Sequence, residues 1–329
     1  MLITGASGQD GLILATVLAR RGHAVYATAS HRWTISDLTF LVPSVSWAIS
    51  TEDGFVDYEE FAPDAEVVID LAAHSSVAKS WIEPLRVIKN NLDLQIRALE
   101  FAASCKAKIV LSGSSEMYAR GEGPVDEESE LRPASPYGIS KASGVETLRL
   151  LRGRGDLFGT ALTMFNHESP LRNPSFVTGK IAEQLRQVYE GQRRSIQLGS
   201  ITTKKDFSWA PDFVRVLASP LTWDSNQDYV LASGELTSIE TLAKTGLEHL
   251  GLDCEILEEP NFAWSAEKHP FGVPAKAARQ LDFVSRTAPS GIIPKMVEML
   301  ANTRKLPPIF ALRSLIGSLA DEVELETKC

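Results

Sequence analysis

The sequence predicts an α/β protein built on a doubly wound parallel sheet, and three observations lead to this fold class. Strand-like and helix-like segments alternate through the first half of the chain. The strand-like segments are continuous apolar runs, as expected for parallel strands covered on both faces. A glycine-rich turn joins the first strand directly to the first helix.

The elements follow one another in a regular order. A short strand begins the chain at residues 1–3, the turn TGASGQDG covers 4–11, and LILATVLARRG at 12–22 has helical spacing. Later strands are predicted where apolar runs recur, at 24–30, 66–73, 108–115 and 160–166. The main helical patterns between them are at 84–104 and 140–152. After about residue 167 the alternation weakens, which favours a smaller, partly interleaved second lobe.

The composition excludes several classes of protein. The 329 residues are 44% hydrophobic and 23% charged, as is ordinary for a globular chain, and the net charge of −9 argues against a general nucleic-acid binder. Three scattered cysteines, Cys105, Cys254 and Cys329, indicate a reducing compartment and predict neither disulfides nor a metal site. No apolar run has transmembrane length and no signal peptide is visible. We therefore expect a cytoplasmic protein with no membrane partner.

The turn after the first strand has the spacing of a dinucleotide-binding loop. Gly5, Gly8 and Gly11 follow a strand and open a helix. Glycines there let the backbone approach a pyrophosphate, and the helix N-terminus offers free N–H groups and a partial positive charge. The candidate cofactor residues of this loop are Gly5, Ser7, Gly8, Gln9, Asp10 and Gly11.

The end of the second strand favours NADP over NAD. A carboxylate there would bind the adenosine ribose hydroxyls of NAD, but the chain reads Thr28-Ala29-Ser30-His31-Arg32. Ser30 and Arg32 would suit a ribose phosphate, although Arg32 could instead be an ordinary surface residue.

A tyrosine and a lysine four residues apart form the second motif, SPYGISK at 135–141. Tyr137 and Lys141 would share one face of a helix. A nearby ammonium favours tyrosinate, so we expect Tyr137 to act as a base near neutral pH and Lys141 to hold the nicotinamide ribose.

One carboxylate stands in an unusual place. Glu116, in SGSSEMYA at 112–119, lies just beyond a predicted buried strand. A carboxylate in that position must be solvated, paired or used in chemistry.

Taken in their order along the chain, these motifs resemble those of the extended short-chain dehydrogenases/reductases that act on nucleotide sugars. The resemblance narrows to the GDP-mannose 4,6-dehydratases through TGASGQDG, FNHESPLRNPSFVTGKI at 165–181 and IQLGSITTKKDFSWAPDFV at 196–214. It runs from residue 3 to about 285. It implies a Rossmann-type NADP-binding domain at 1–166, a mainly substrate-binding lobe at 167–305 with some return to the sheet, and a C-terminal tail at 306–329.

The resemblance also implies a mechanism. In that family NADP⁺ takes hydride from C-4 of the hexose while the tyrosine removes the hydroxyl proton. A carboxylate then removes the C-5 hydrogen, water leaves from C-6, and the hydride is delivered to C-6. The family pattern Thr-Ser-Glu matches Ser114-Ser115-Glu116, so Glu116 would be the elimination base and Ser114 would hydrogen-bond O-4.

Further residues of this chain correspond individually to cofactor-binding or substrate-binding positions of the family. The resemblance implies cofactor contacts at Leu71, Ala72, Ser75, His167 and Arg172. It implies substrate contacts at Ser75, Ser115, Asn166, Val177, Lys180 and Lys205, where Lys205 replaces a phosphate-binding arginine of the family.

The chain also departs from the family pattern. Ala48-Ile49-Ser50 replaces an adenine-contacting Gly-Asp-Leu, and an Arg-Pro-x-Glu nucleotide contact is missing near 262–266. The segment after Arg32 is shorter than the family's tetramer-forming loop, so we expect a homodimer through helices 84–104 and 137–152, with a tetramer still possible. The tail has helical spacing and could pack on the core or on a partner.

Two other functions stay open. A GDP-sugar reductase or 4-epimerase would use Tyr137 and Lys141 but not Glu116. A non-catalytic NADP-binding protein would usually have lost the tyrosine or the lysine.

Overall fold

A parallel seven-stranded sheet forms the centre of the fold in the computed structural model, which describes residues 1–52, 54–121, 123–259 and 268–325. In chain order the strands are β1 (Leu2–Thr4), β2 (Tyr26–Ala29), β3 (Ser46–Ile49), β4 (Val67–Asp70), β5 (Lys108–Ser114), β6 (Pro124–Val125), β7 (Gly159–Met164), β8 (Asn166–Glu168), β9 (Ser195–Leu198), β10 (Lys204–Trp209), β11 (Asp228–Leu231), β12 (Leu236–Ser238), β13 (Glu255–Glu258) and β14 (Phe271–Gly272). The large sheet has the order β11-β7-β5-β4-β1-β2-β3. The predicted doubly wound parallel sheet is confirmed.

Helices cover both faces of this sheet. In chain order they are α1 (Gln9–Arg20), α2 (Ile35–Leu41), α3 (Tyr58–Phe61), α4 (Val77–Ile82), α5 (Pro84–Cys105), α6 (Pro136–Arg154), α7 (Val177–Tyr189), α8 (Ala210–Leu217), α9 (Pro220–Trp223), α10 (Ile239–Leu250), α11 (Ala275–Leu281), α12 (Pro289–Thr303) and α13 (Pro308–Glu324). Two apolar clusters fill the space between sheet and helices, one around α1 and the other around α5 and α6. The sheet strands are thus buried on both sides, which explains their continuous apolar runs.

Several elements differ from the predicted bounds by a few residues, and for two of them the local reason is visible. The strand predicted at 66–73 ends at Asp70, because the backbone N–H groups of Leu71 and Ala72 turn to donate to the Thr4 hydroxyl, each at 3.2 Å. The helix predicted from residue 140 begins four residues earlier at Pro136, because the Ser135 hydroxyl caps it by accepting from the Gly138 N–H at 3.0 Å. Tyr137 and Lys141 therefore both lie on α6.

The second half of the chain contributes smaller sheets and also returns to the large one. Strand β11 pairs in parallel with β7, so residues 228–231 extend the central sheet. The smaller sheets have the orders β12-β10-β8, β13-β9 and β14-β6. Since β6 lies before α6 and β14 lies near residue 271, the two halves are interleaved. The exact boundaries at residues 166 and 305 stay predictions.

The C-terminal tail packs on its own chain. Helix α13 contacts α1, α2, α8 and α12, and buries Leu315, Ile316 and Leu319. The Trp209 indole N–H donates to Glu322 at 2.8 Å, and Arg20 pairs with Asp321 at 2.8 Å. Of the two roles left open for the tail, packing on the core is the one observed.

Candidate active site

The glycine-rich turn places the N-terminus of α1 against the end of β4. Gly5 has φ of +64°, and a Cβ there would lie 2.7 Å from the Ala72 Cα, so only glycine fits this approach. Gly8 is the N-cap of α1 and no side chain caps the helix. The first N–H groups of α1 are therefore not bonded to a capping side chain, as an anion-binding helix N-terminus requires. A dinucleotide pyrophosphate fits this arrangement.

The end of β2 has the cationic character expected from the sequence. Ser30 and Arg32 are both exposed just after the strand. Burial and the charges of Arg86 and Arg32 lower the pKa of His74, which lies in the loop after β4. Arg32 is therefore close enough to this loop to act on it electrostatically. The same loop holds the exposed Ser75. These residues follow the carboxyl ends of β2 and β4, the end of a parallel sheet at which ligands bind in open α/β folds.

A buried ion pair links α1 to β8. The His167 Nδ1–H donates to the Phe165 carbonyl at 2.6 Å and the Nε2–H donates to the Asp10 carboxylate at 2.8 Å. Because both acceptors lack a proton, the imidazole is the doubly protonated cation. Burial would lower the pKa of His167, but Asp10 raises it. Burial would also raise the pKa of Asp10, but His167 and Arg172 hold it low.

Further hydrogen bonds around the Asp10–His167 pair also join α1 to β8 and the residues that follow it. The Gln9 side chain donates to the His167 carbonyl at 3.0 Å and accepts from Ser169 at 2.8 Å. Arg172 donates to Glu168 at 2.8 Å and also bonds the His167 carbonyl. Four predicted cofactor residues far apart in sequence, Gln9, Asp10, His167 and Arg172, are thus brought together.

Tyr137 lies between the nucleotide loop and the strand carrying Ser114. Burial raises the pKa of Tyr137 to about 12, the Ser114 hydrogen bond opposes this, and Glu116 adds to it. The expected shift toward tyrosinate is wrong for the protein alone, because burial outweighs the opposing interactions and the Lys141 ammonium is bonded elsewhere. Ser114 and Tyr137 are nevertheless adjacent, as the matched motif implies.

Lys141 is buried and its ammonium is held by β5. Its Nζ donates to the Ser112 carbonyl and hydroxyl, both at 2.9 Å. Burial lowers the pKa of Lys141, while the Asp70 carboxylate raises it. Burial raises the pKa of Asp70, which also accepts from the Thr4 hydroxyl. The lysine side chain is therefore fixed beneath the end of the sheet.

Glu116 is held beside Tyr137 by close backbone packing. A Cβ on Gly138 would lie 2.1 Å from the Glu116 carbonyl oxygen, so the start of α6 sits directly on the 3₁₀ turn Ser115–Met117. The Glu116 side chain is only 10% exposed. It accepts from Arg120 at 3.0 Å and from the Ser135 hydroxyl at 3.4 Å, and Lys205 lies 3.8 Å away. The carboxylate is paired, in a cleft next to the tyrosine.

A pocket opens at Glu116 and collects several of the predicted substrate residues. The Asn166 amide donates to the Asp206 carbonyl at 2.9 Å on its wall. Burial raises the pKa of the Asp206 carboxyl, which is bonded by Ser233, Gly272 and Gly234. The lining residues are Ser115, Glu116, Tyr118, Arg120, Phe165, Asn166, Lys205, Asp206, His269 and Pro270.

Three predicted substrate residues, Ser75, Val177 and Lys180, lie outside this lining. Val177 and Lys180 are on the first turns of α7, where Lys180 pairs with Glu259 at 2.5 Å. The missing Arg-Pro-x-Glu contact falls on residues 262–266, and Cys329 is the last residue, so both lie outside the described residues. The roles of Val177 and Lys180 stay predictions.

Four residues of the site were not foreseen from the sequence. Ser112 holds the lysine, and Ser135 caps α6 and bonds Glu116. Arg120 pairs with the Glu116 carboxylate, and His269 contacts Arg120. The Ser-Pro before Tyr137 could have identified Ser135 as a helix cap, because serine followed by proline is a common helix start. Nothing local in the sequence marks His269.

Comparison with known proteins decides the family. The GDP-mannose 4,6 dehydratase family model matches residues 58–288. This chain belongs to that family. The human GDP-mannose 4,6 dehydratase is 27% identical over 286 residues, covering 76% of this chain and 72% of the human protein. Membership and relatives together support a nucleotide-sugar dehydratase, and the resemblance inferred from the motifs is confirmed.

Solved structures of this dehydratase's fold contain nicotinamide cofactors. MoeE5 in complex with UDP-glucose and NAD superposes with a TM-score of 0.77 at 23% identity, covering 93% of this chain and 99% of that one. RMD from Pseudomonas aeruginosa complexed with NADPH gives a TM-score of 0.71 at 19% identity, covering 90% and 97%. These similarities establish the Rossmann-type fold.

Two features are absent from the part of the chain that the structure describes. No helix there combines the length and apolar character needed to cross a bilayer. No cluster of three or more His, Cys, Asp or Glu side chains there is arranged to hold a metal ion.

Proposed function

We propose that this protein is a GDP-sugar 4,6-dehydratase that uses NADP and converts GDP-mannose, or a close GDP-manno-sugar, to the 4-keto-6-deoxy sugar. The observation that carries the proposal is the position of Glu116. Glu116 lines a pocket, its charge helps to raise the pKa of the nearby Tyr137, and Ser114 is hydrogen-bonded to the tyrosine. A base for the C-5 hydrogen, Glu116, and a base for the C-4 hydroxyl proton, Tyr137, would then act on neighbouring carbons of one bound sugar. The proposed oxidation and elimination require both.

The cofactor would bind along the glycine-rich turn. When bound, NADP⁺ supplies the hydride acceptor and later returns the hydride to C-6. The α1 N-terminus would hold the pyrophosphate, and Ser30 and Arg32 the ribose phosphate. The other contacts would come from the loop after β4 and the α1–β8 junction: Leu71, Ala72, Ser75, His167 and Arg172.

Two side chains would move protons in the reaction, and a third would hold the cofactor. Burial raises the pKa of Tyr137 in the protein alone, so a role as base requires the positive charge of bound NADP⁺ to lower it. Tyr137 would then accept the proton of the C-4 hydroxyl, whose oxygen Ser114 would bond. Lys141 would hold the nicotinamide ribose from beneath the site. Glu116 would then take the C-5 hydrogen as a proton, and the electron pair left behind would form the C-5–C-6 double bond and expel the C-6 hydroxyl. That hydroxyl would take the proton from Glu116 and depart as water, which restores the carboxylate.

The substrate would lie in the pocket at Glu116. Ser115 and Asn166 would face the sugar, and the ammonium of Lys205 would meet the diphosphate as a point charge. Val177 and Lys180 on α7 would contact the guanosine diphosphate. Because Lys180 pairs with Glu259, that contact requires the pair to open.

One observation is also consistent with a second candidate function. Glu116 is engaged by Arg120 and Ser135, as a purely structural carboxylate would be. A GDP-sugar reductase or 4-epimerase would use the same Tyr137 and Lys141 and leave Glu116 idle. Such an enzyme would form product without loss of water.

The experiment that tests the proposal follows water loss by mass spectrometry. The protein is incubated with NADP⁺ and, in turn, GDP-mannose, a GDP-manno-heptose, a UDP-hexose and a dTDP-hexose. We expect a product lighter by one water with a GDP-sugar. A UDP- or dTDP-sugar that outperforms every GDP-sugar would contradict the substrate assignment, and a 4-epimer of unchanged mass would favour the second candidate.

We also propose a homodimer built from α5 and α6. Leu85 and Ile96 on α5 are 81% and 41% exposed, and Ile139 and Leu150 on α6 are 41% and 64% exposed. Each pair is eleven residues apart, close to three full helical turns, so each pair lies on one face of its helix. A second copy of the chain would cover these apolar faces.

A further inference from the structure

Arg120 is the principal partner of the Glu116 carboxylate. Its Nη2 donates to Oε2 at 3.0 Å and its Nη1 lies 3.5 Å from Oε1, so both oxygens face the guanidinium. The Arg120 side chain is 20% exposed and Glu116 is 10% exposed. A planar guanidinium that faces both oxygens fixes the rotation of a carboxylate as well as its charge.

His269 holds the other side of the guanidinium. The Arg120 Nη1 lies 2.7 Å from the His269 Nδ1. A guanidinium can only donate, so Nδ1 accepts and His269 is the neutral tautomer with its proton on Nε2. Burial and the charges of Lys205 and Arg120 lower the pKa of His269 to about 2, consistent with that state. The imidazole therefore orients Arg120 without adding a charge.

The backbone joins the segments that carry these two side chains. The Gly121 N–H donates to the Lys268 carbonyl at 3.1 Å, and the Phe271 N–H donates to the Gly123 carbonyl at 3.1 Å. Strands β6 and β14 continue the pairing in parallel. The loop after Glu116 is thus fastened to a segment about 150 residues later in the chain, and that segment supplies His269.

We propose that Arg120, oriented by His269, is a positioning residue that aims the Glu116 carboxylate at the substrate. The inference rests on the proposed function, in which Glu116 removes the C-5 proton. Arg120 acts through Glu116 and takes no proton itself. Ser135 and Lys205 restrain the same carboxylate more weakly, at 3.4 and 3.8 Å, so Arg120 sets most of its orientation.

The test compares variants of the full-length enzyme in the water-loss assay. Arg120→Gln should lower kcat by about 10- to 100-fold, the loss expected when a catalytic group is misplaced, with little change in KM. Arg120→Lys should recover part of the rate, because lysine keeps the charge but not the two-nitrogen contact. His269→Phe should lose more than His269→Gln, whose amide oxygen can still accept from Arg120. Arg132→Gln is the matched control, since Arg132 is 68% exposed and pairs only loosely with Glu130 at 4.0 Å.

The outcomes separate this inference from the proposed function. If Glu116→Gln abolishes water loss but Arg120→Gln keeps the parent kcat, the positioning role is wrong and the dehydratase stands. If Arg120→Gln raises KM and leaves kcat unchanged, Arg120 binds substrate and the inference is overturned. If Glu116→Gln loses water at the parent rate, Glu116 is not the base and the positioning role of Arg120 falls with that assignment. The proposed dehydratase itself fails only if the parent forms no product lighter by one water. Circular dichroism of each variant shows that a lost rate does not come from a lost fold.

Discussion

The Nε2–H of His167 donates to the Asp10 carboxylate across 2.8 Å, joining the first turn of α1 to β8. The two residues are 157 positions apart in the chain. The stacked ring of Phe213, 4.5 Å away, covers the imidazole. A buried ion pair thus connects the nucleotide loop to the segment that begins the substrate lobe, and its strength depends on pH.

His167→Gln should show that dependence. The pKa of His167 is raised, so its contribution to stability is complete below the ordinary histidine pKa and is lost as pH rises through the raised value. The pKa of Asp10 is lowered, so its contribution is lost only as pH falls through that lower value. The variant should be about 1.5–3 kcal/mol less stable near pH 6, and the difference should shrink toward pH 9 in denaturant titrations.

His23→Gln provides a control of opposite sign. Burial lowers the pKa of His23, so protonation there opposes folding and the parent gains stability relative to this variant as pH rises. A deficit of His167→Gln that grows with pH would contradict the imidazolium assignment.

Tyr137→Phe should lose turnover by about 10²- to 10⁴-fold, the usual contribution of a positioned base. The substitution leaves the ring buried and removes only the hydroxyl bonded to Ser114. NADP binding and the thermal unfolding midpoint should stay near those of the parent. Water loss at the parent rate by a folded Tyr137→Phe variant would rule out this base.

Arg32→Ala tests the choice of cofactor. Arg32 is exposed after β2, where a charge-assisted contact to the ribose phosphate would contribute about 1.5–3 kcal/mol. The dissociation constant of NADP should rise by about 10-fold or more, and that of NAD should hardly change. Arg154→Ala, at the far end of α6 and 68% exposed, should affect neither. Equal weakening of both cofactors by Arg32→Ala would refute the NADP assignment.

Leu85→Glu should convert the proposed dimer to a monomer. Leu85 is 81% exposed in the single chain, and a charge buried at an apolar interface is costly. Light scattering at micromolar concentration should give twice the chain mass for the parent and the single-chain mass for the variant. Val284→Glu, at an exposed position elsewhere, should remain dimeric. A tetrameric parent would require an interface besides α5 and α6.

The sequence predicts the parts of this protein that depend on local patterns. The apolar runs locate the strands of the large sheet because buried parallel strands have no polar face. The glycine spacing locates the α1 turn because Gly5 needs a positive φ and a close approach to Ala72. The spacing of Tyr137 and Lys141 predicts that they share one face of a helix, because four residues are close to one helical turn.

The parts that escaped prediction depend on tertiary contacts. Arg120 is four residues from Glu116, but the turn there is too short for helical spacing to identify the pair. His269 reaches Arg120 only because β6 and β14 pair across the two halves of the chain. The pKa of Tyr137 depends on how deeply the folded chain buries its ring and on the neighbouring Ser114 and Glu116. No local pattern contains that information.

The most direct test of the central claim is the rate of water loss by Glu116→Gln with GDP-mannose and NADP⁺, monitored by mass spectrometry. The glutamine keeps the size of the side chain and one oxygen that can accept from Arg120, but it cannot accept the C-5 proton. We predict a loss of at least about 100-fold in turnover, with the fold and NADP binding retained. Elimination at close to the parent rate would contradict the account, because Glu116 would then be a structural partner of Arg120 and not the base.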